Sequence, residues 1–270
     1  MTVLLRRKPR TAPWRVGLYA FCGVVFAFLT LPMVIVALLS FSSSPYLVFP
    51  PPGFSLRWYA AYFSDTIWID ATIRSVKVAL TTTAGATALG TLLAFSLVRG
   101  RYPGRAFVDQ LAIAPLIVPA MVYSVAIYSL FAQLKLIGHW QAIALAHTVH
   151  TVPFVVLIVG AALRTFDVNQ EHAAVGLGAT RFQAITKITL PQIRPALVSA
   201  AFLVFISSFD ELVIAMFLGG SSMTLPKKMF DNIMNDIDPT IAAVSVLQIG
   251  LVIIALAMAS RFGAGAKPLT

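Results

Sequence analysis

Apolar residues fill this chain in long runs, and the polar positions gather in the stretches between them. A bilayer core about 30 Å thick needs roughly 20 apolar residues per helix. Six runs reach that length: residues 16–40, 75–98, 107–131, 142–163, 197–218 and 241–260. The pattern predicts an all-α, polytopic membrane protein, with six transmembrane helices inside residues 16–260, an N-terminal tail at 1–15 and a C-terminal tail at 261–270. An even number of spans puts both tails on one side of the membrane.

One connection, residues 164–196, is too long and too polar to be a simple link. Asp167 followed by Gln170, and Thr180 followed by Gln183, each have the spacing of a capping box, in which side chains satisfy the orphan N–H groups of a starting helix. Gly178 stands where the first helix should stop, because glycine enters the left-handed cap conformation without a Cβ penalty. Leu190-Pro191 is expected to end the second helix, since proline disfavours helix in the residue before it. The stretch therefore reads as a hairpin of two short helices.

Composition supports the membrane class, with 59% hydrophobic and 11% charged residues and a mean hydropathy of +0.86. A formal net charge of +10 would raise nucleic acid as a partner for a soluble protein. Here the basic residues lie between the apolar runs or, for Lys77, at the end of one, and unevenly. Arg6, Arg7, Lys8, Arg10, Arg15, Arg99, Arg101, Arg105, Arg164, Arg181, Lys187, Arg194, Arg261 and Lys267 share one side, against Arg57, Arg74, Lys77, Lys135, Lys227 and Lys228 on the other. The richer side is expected to be cytoplasmic, with both termini and the 164–196 hairpin. Topology thus accounts for the charge, and no nucleic-acid partner is expected.

The basic N-terminus imitates a secretory signal, yet the following run far exceeds a signal's core of about 7–15 residues and no small-x-small site follows, so an uncleaved anchor is expected. Cys22, the single cysteine, excludes an intrachain disulfide and reads as a small packing residue. After the first run, prolines 50–52 deny helix and strand alike. Ser55 could then cap a short helix carrying Leu56, Trp58, Tyr59, Tyr62 and Phe63, an aromatic density suited to the membrane interface or to a periplasmic partner.

Within the spans, Pro115, Pro119 and Pro153 remove backbone donors, through kinks or along a water-filled path. His147 and His150 lie three apart on one helix, a spacing open to a metal but also to interhelical hydrogen bonds, and no metal site is expected. Asp210 and Glu211 are intramembrane carboxylates, each of which costs about 2.5–3.5 kcal/mol to insert, so their default reading is functional. Ser207 and Ser208 lie one turn earlier and would give each acid a polar neighbour.

The spacing of Ala173-Ala174, Gly178-Ala179, Phe182, Ile188 and Leu190-Pro191 resembles the EAA loop of ABC importer permeases, the cytoplasmic coupling helix that docks into a groove on a separate ATPase. Against that pattern the acidic position falls on His172, with Glu171 one residue earlier, and Gly176 replaces an aspartate often found before the glycine. The segments LSFSSSPYLVFPPPGFSLRWY, SFDELVIAMFL and SSMTLPKKMF look like the second permease of the spermidine/putrescine class, over about residues 31–260.

The resemblance implies a bacterial inner-membrane permease paired with a homologous permease, as a heterodimer or with a second copy of itself, with two ABC ATPases and a periplasmic solute-binding protein. It implies ATPase coupling through Glu171, His172, Ala173, Ala174, Gly178, Ala179, Phe182, Leu190 and Pro191. It also implies Asp210 as the substrate contact; Glu211 could set the local field, Ser207 lies one turn from Asp210, and Phe209 and Tyr123 could add cation–π attraction along the path or serve helix packing alone. The solute would be a polyamine or related cation, though another small organic solute fits the same architecture. No Walker A pattern occurs, so ATP would be bound by the partner subunits and no cofactor by this chain. No His-Glu-x-x-His or Gly-x-Ser-x-Gly motif suggests catalysis. Two rivals remain: an ion-coupled carrier using Asp210 and Glu211, and a membrane enzyme built on the histidine pair.

Overall fold

The computed structural model describes residues 13–235 and 238–263. The tail residues Arg6, Arg7, Lys8, Arg10 and Lys267 lie outside them. The described residues form two compact units, one within 1–62 and 237–246, the other within 63–236 and 247–270. No strand occurs among them, only an isolated bridge between Ser42 and Phe54.

The first unit holds helix α1 (Pro13–Ser40), the proline-rich loop and most of α2 (Arg57–Ser64). The N-cap is Leu56, whose carbonyl accepts from Ala60 N at 3.0 Å, and not the expected Ser55, whose Oγ accepts from the Arg57 amide at 3.1 Å one position earlier. The aromatic residues of α2 hold the loop: Trp58 Nε1 donates to Ser42 O at 2.8 Å, and Tyr59 Oη lies 2.9 Å from Ser40 Oγ. Cys22 is exposed on α1, not packed, beside the equally exposed Phe21 and Phe26.

The second unit contains α3 (Thr66–Arg99), α4 (Arg105–Ile117), α5 (Ala120–Gln133), α6 (Trp140–Thr165), α7 (Asn169–Gly176), α8 (Arg181–Gln192), α9 (Arg194–Phe209), α10 (Val213–Leu218) and α11 (Leu225–Asn235). Helix α12 (Thr240–Gly263) begins in the first unit and continues into the second. Among the described residues, four helices, α1, α3, α6 and α12, are long and apolar enough to cross a membrane, and the total reaches six if each of two bent pairs, α4 with α5 and α8 with α9, is one span.

Packing centres on α3 against α6, with α9 lying on both. Small residues allow this approach: a Cβ on Gly90 would sit 2.6 Å from Val155 Cβ and 3.1 Å from Val152 O. In lipid, where hydrophobicity alone does not drive helices together, such close contact is a main source of association. Ala86, Ala94, Val155, Val159, Leu163, Ala200 and Val204 make the core at this crossing. A second core, of Val78, Phe131, Ile143, Ile214 and Leu218, joins α3, α5, α6 and α10.

Three expected spans are redrawn. The second begins at Thr66, not Ser75, because Asp65 caps it by accepting from Ile67 N at 2.8 Å. Its 34 residues extend about 51 Å, well past the apolar core. The third, 107–131, is two helices bent by 106°. Val118, preceding a proline, is extended at φ −74° and ψ 126°, and Pro119 starts a new helix after it. The fifth, 197–218, is broken at residues 210–212 into the 16-residue α9 and the six-residue α10.

Candidate functional site

The break between α9 and α10 falls at the two carboxylates of the expected fifth span, and each finds a different role. Asp210 caps the C-terminus of α9, with its amide bonded to Ile206 O at 3.1 Å, and its side chain is exposed. Its Oδ1 accepts from Gln248 Nε2 of α12 at 3.2 Å. Glu211 turns the other way. Its carboxylate accepts from Ile214 N at 2.8 and 3.0 Å and from Ala215 N at 3.3 Å, satisfying orphan donors at the start of α10. The negative group also faces the positive end of that short helix's peptide dipoles.

Behind Glu211 stands His147 of α6, 1% exposed. Its Nδ1 lies 2.8 Å from Ser208 Oγ and its Nε2 is 3.4 Å from Glu211 Oε2, an electrostatic contact rather than a hydrogen bond. When Nδ1 accepts from the serine hydroxyl, Nε2 carries the ring proton toward the carboxylate. Ser208 therefore serves His147, and not Glu211 as a helical spacing suggests. The premise of successive positions on one helix fails because the helix ends at Phe209.

Of the other path candidates, Ser207 is half-buried on α9. Tyr123 is buried on α5 and donates to Ala146 O at 2.8 Å, its ring 5.3 Å from that of His150. Phe209 is buried and stacked on Phe205 at 5.8 Å. These two aromatics pack within the bundle. His147 meets Ser208 and Glu211, the His150 ring meets that of Tyr123, and the described residues hold no group of three or more metal-ligating side chains. Gln248 was not anticipated. The only sequence signal for it is an amide in the middle of an apolar run.

The hairpin at residues 164–196 is the second candidate site. Its turn is a complete Schellman motif: Ala179 N donates to Ala174 O and Gly178 N to Val175 O, each at 3.0 Å, with Gly178 at φ +95°. Thr180 and Gln183 form the reciprocal capping box that starts α8. The first box is absent. Asp167 Oδ1 accepts from Asn169 N at 3.0 Å, while the Gln170 side chain accepts from Gln192 Nε2 instead of returning to the backbone. Leu190-Pro191 does not end the second helix either. The turn Ile185–Thr189 widens to π geometry, with Leu190 N bonded to Ile185 O, and the helix runs on to Gln192. A wider turn moves the preceding carbonyls away from the proline ring, which would otherwise clash with them. The real bend, 69°, comes at Ile193 just before Pro195 of α9.

Glu171 is held within the chain. Arg99 Nη1, at the end of α3, donates to both its oxygens at 2.6 and 2.7 Å, and Thr189 Oγ1 donates to Oε1. The guanidinium also lies 5.0 Å from the Phe95 ring and 5.6 Å from that of Phe166. This ties the hairpin to a membrane-spanning helix through charge. His172, Ala173 and Ala174 lie on α7 beside Glu171, while the apolar tip is uncovered, with Leu177 90% and Phe182 76% exposed.

Gly178 offers a clean test of the tip. A Cβ there meets nothing within 4 Å, so a substitution carries only the backbone strain of φ +95°, about 1–2 kcal/mol. Gly178→Val is expected to leave the protein inserted and assembled but to lower uptake per ATP hydrolysed in reconstituted vesicles. Unchanged uptake would remove the tip from coupling.

Residues 86–265 match the family model described as binding-protein-dependent transport system inner membrane component. The chain is 34% identical over 249 residues to the putrescine transport system permease protein PotI of Escherichia coli, covering 89% of this chain and 87% of that one. It is 32% identical over 234 residues to the spermidine/putrescine transport system permease protein PotC of Haemophilus influenzae, covering 86% and 90%. Among solved structures, a bacterial ABC transporter that imports the acidic polysaccharide alginate contains a chain with a TM-score of 0.73 and 16% identity, covering 94% of this chain and 99% of that one. That last likeness is one of fold alone.

Proposed function

The chain belongs to the family of binding-protein-dependent transport system inner membrane components, and from that membership we propose that it forms half of the transmembrane path for a polyamine or related organic cation. The other half is a homologous permease, making a heterodimer. Two ATPases dock on the hairpin 164–196 and bind the ATP, and a periplasmic protein delivers the solute. Both termini and the hairpin lie on the cytoplasmic side in this reading, which the distribution of arginine and lysine supports.

The fold does not choose the solute, since a structure of the same architecture serves an acidic polysaccharide. The observation that carries the cationic reading is Asp210: a carboxylate exposed at a helix break inside an expected span and met, among the described residues, by a neutral amide at one oxygen. An ammonium shedding water needs such a fixed counter-charge. The names of the two permease relatives point the same way.

The test is uptake by vesicles reconstituted with this chain, its partner permease, the ATPases and the binding protein. ATP-dependent import of labelled putrescine, reduced by unlabelled spermidine and not by sulfate, is expected. Gradient-driven uptake by this chain without ATP would replace the importer with an ion-coupled carrier.

A further inference from the structure

A cleft of about 1040 Å³ opens beside the end of α3, lined by Arg99, Arg101, Arg105, Arg181 and His172, with Glu171 its single carboxylate. Glu171 is already occupied by Arg99 and Thr189. Among the described residues, no carboxylate lies within ion-pair distance of Arg101, Arg105 or Arg181, and all three are exposed. Arg99 itself keeps Nε and Nη2 buried without a hydrogen-bond partner. The cleft thus concentrates guanidinium donors in excess of anything in the chain that could accept them.

The remaining walls are apolar: Val98, Val168, Val175 and Ile185 line the same space. The apolar run of α3 stops at Val98, and the next run resumes at Phe107. Arg99, Arg101 and Arg105 therefore sit where a membrane-spanning segment meets water. A ligand for this cleft carries a compact negative group that accepts several N–H bonds and an apolar part that continues toward the bilayer. Guanidinium forks match phosphate oxygens in this way.

We propose that the cleft binds the phosphate of an anionic phospholipid, so that the hairpin rests on a lipid as well as on the Arg99–Glu171 pair. A carboxylate of a docked protein would satisfy the charge but would leave the apolar wall without a partner. Zwitterionic headgroups bring an ammonium that the arginines repel. A basic recess between helix ends at a membrane surface suits an anionic headgroup, and each arginine there contributes about a fivefold gain in affinity.

The experiment compares the assembled transporter with a triple variant, Arg101→Gln, Arg105→Gln and Arg181→Gln, in vesicles of phosphatidylcholine with increasing phosphatidylglycerol. ATPase stimulation and co-purified lipid, measured by mass spectrometry, are the two readouts. The wild type is expected to retain phosphatidylglycerol and to be stimulated by it, and the triple variant to need about a hundredfold more. Equal lipid retention and equal stimulation in both would overturn the proposal. Inorganic phosphate reproducing the stimulation in pure phosphatidylcholine would show an anion site but refute the lipid. Loss of the ATPase subunits from the triple variant, with lipid content unchanged, would assign the arginines to a protein contact instead.

Discussion

Asp210→Asn is expected to abolish import of a cationic solute while the complex still assembles. The substitution keeps the shape of the side chain at the end of α9 and its reach to Gln248 Nε2, 3.2 Å away, but it removes the charge. Leaving a desolvated ammonium without its counter-charge costs about 3 kcal/mol or more, which corresponds to a loss of about a hundredfold in uptake. Glu211→Gln makes the informative comparison, because the Glu211 carboxylate is committed to the amides of Ile214 and Ala215. A glutamine still accepts from those donors, so uptake should fall far less, with the thermal midpoint in detergent lowered modestly. If Asp210→Asn imports normally and Glu211→Gln fails, the roles within the pair are reversed. If both import normally, the solute is not a cation.

The two carboxylates part company because the fifth span is broken, and no composition-based reading shows a break. Apolar windows measure how much of a segment prefers lipid, and residues 197–218 score as one unit whether or not the chain turns within them. The same holds for 107–131, where Pro119 was visible but the 106° turn was not, since proline in a membrane helix is tolerated with anything from a kink to a full stop. Local signals fared better where both partners lie within one turn and neither meets a distant alternative. The Thr180–Gln183 box and the Gly178 cap stand as their spacing predicts.

Failure came where a side chain had a distant alternative. Gln170 met Gln192 across the hairpin and left the box at Asp167 unmade. Pro191 was accommodated by a π turn that no residue in the motif announces. The partners Gln248, Arg99 and Ser208 are tertiary facts: each joins a residue singled out from the sequence to a helix at least 38 positions away, a spacing that no periodicity reports.

The pairing of Glu171 changes what its removal should do. Seen from the sequence, Glu171 is a displaced version of an acidic residue facing the ATPase, and Glu171→Gln would weaken ATPase association modestly. In the structure its carboxylate is spent inside the chain, accepting from Arg99 Nη1 at 2.6 and 2.7 Å and from Thr189, with side chains 22% and 13% exposed for Arg99 and Glu171. Breaking a fully buried pair costs about 3–5 kcal/mol, and partial exposure lowers this one to about 2 kcal/mol. Arg99→Gln and Glu171→Gln are therefore both expected to loosen the hairpin from α3, lowering the thermal midpoint and the uptake per ATP hydrolysed by similar amounts. The double variant should be no worse than either alone, because residues in one ion pair are non-additive. A direct role on the ATPase predicts the opposite asymmetry: Glu171→Gln would release the ATPase in a pull-down and Arg99→Gln would not. Equal losses with an intact complex place the pair inside the permease, as the strut through which hairpin movement reaches the membrane.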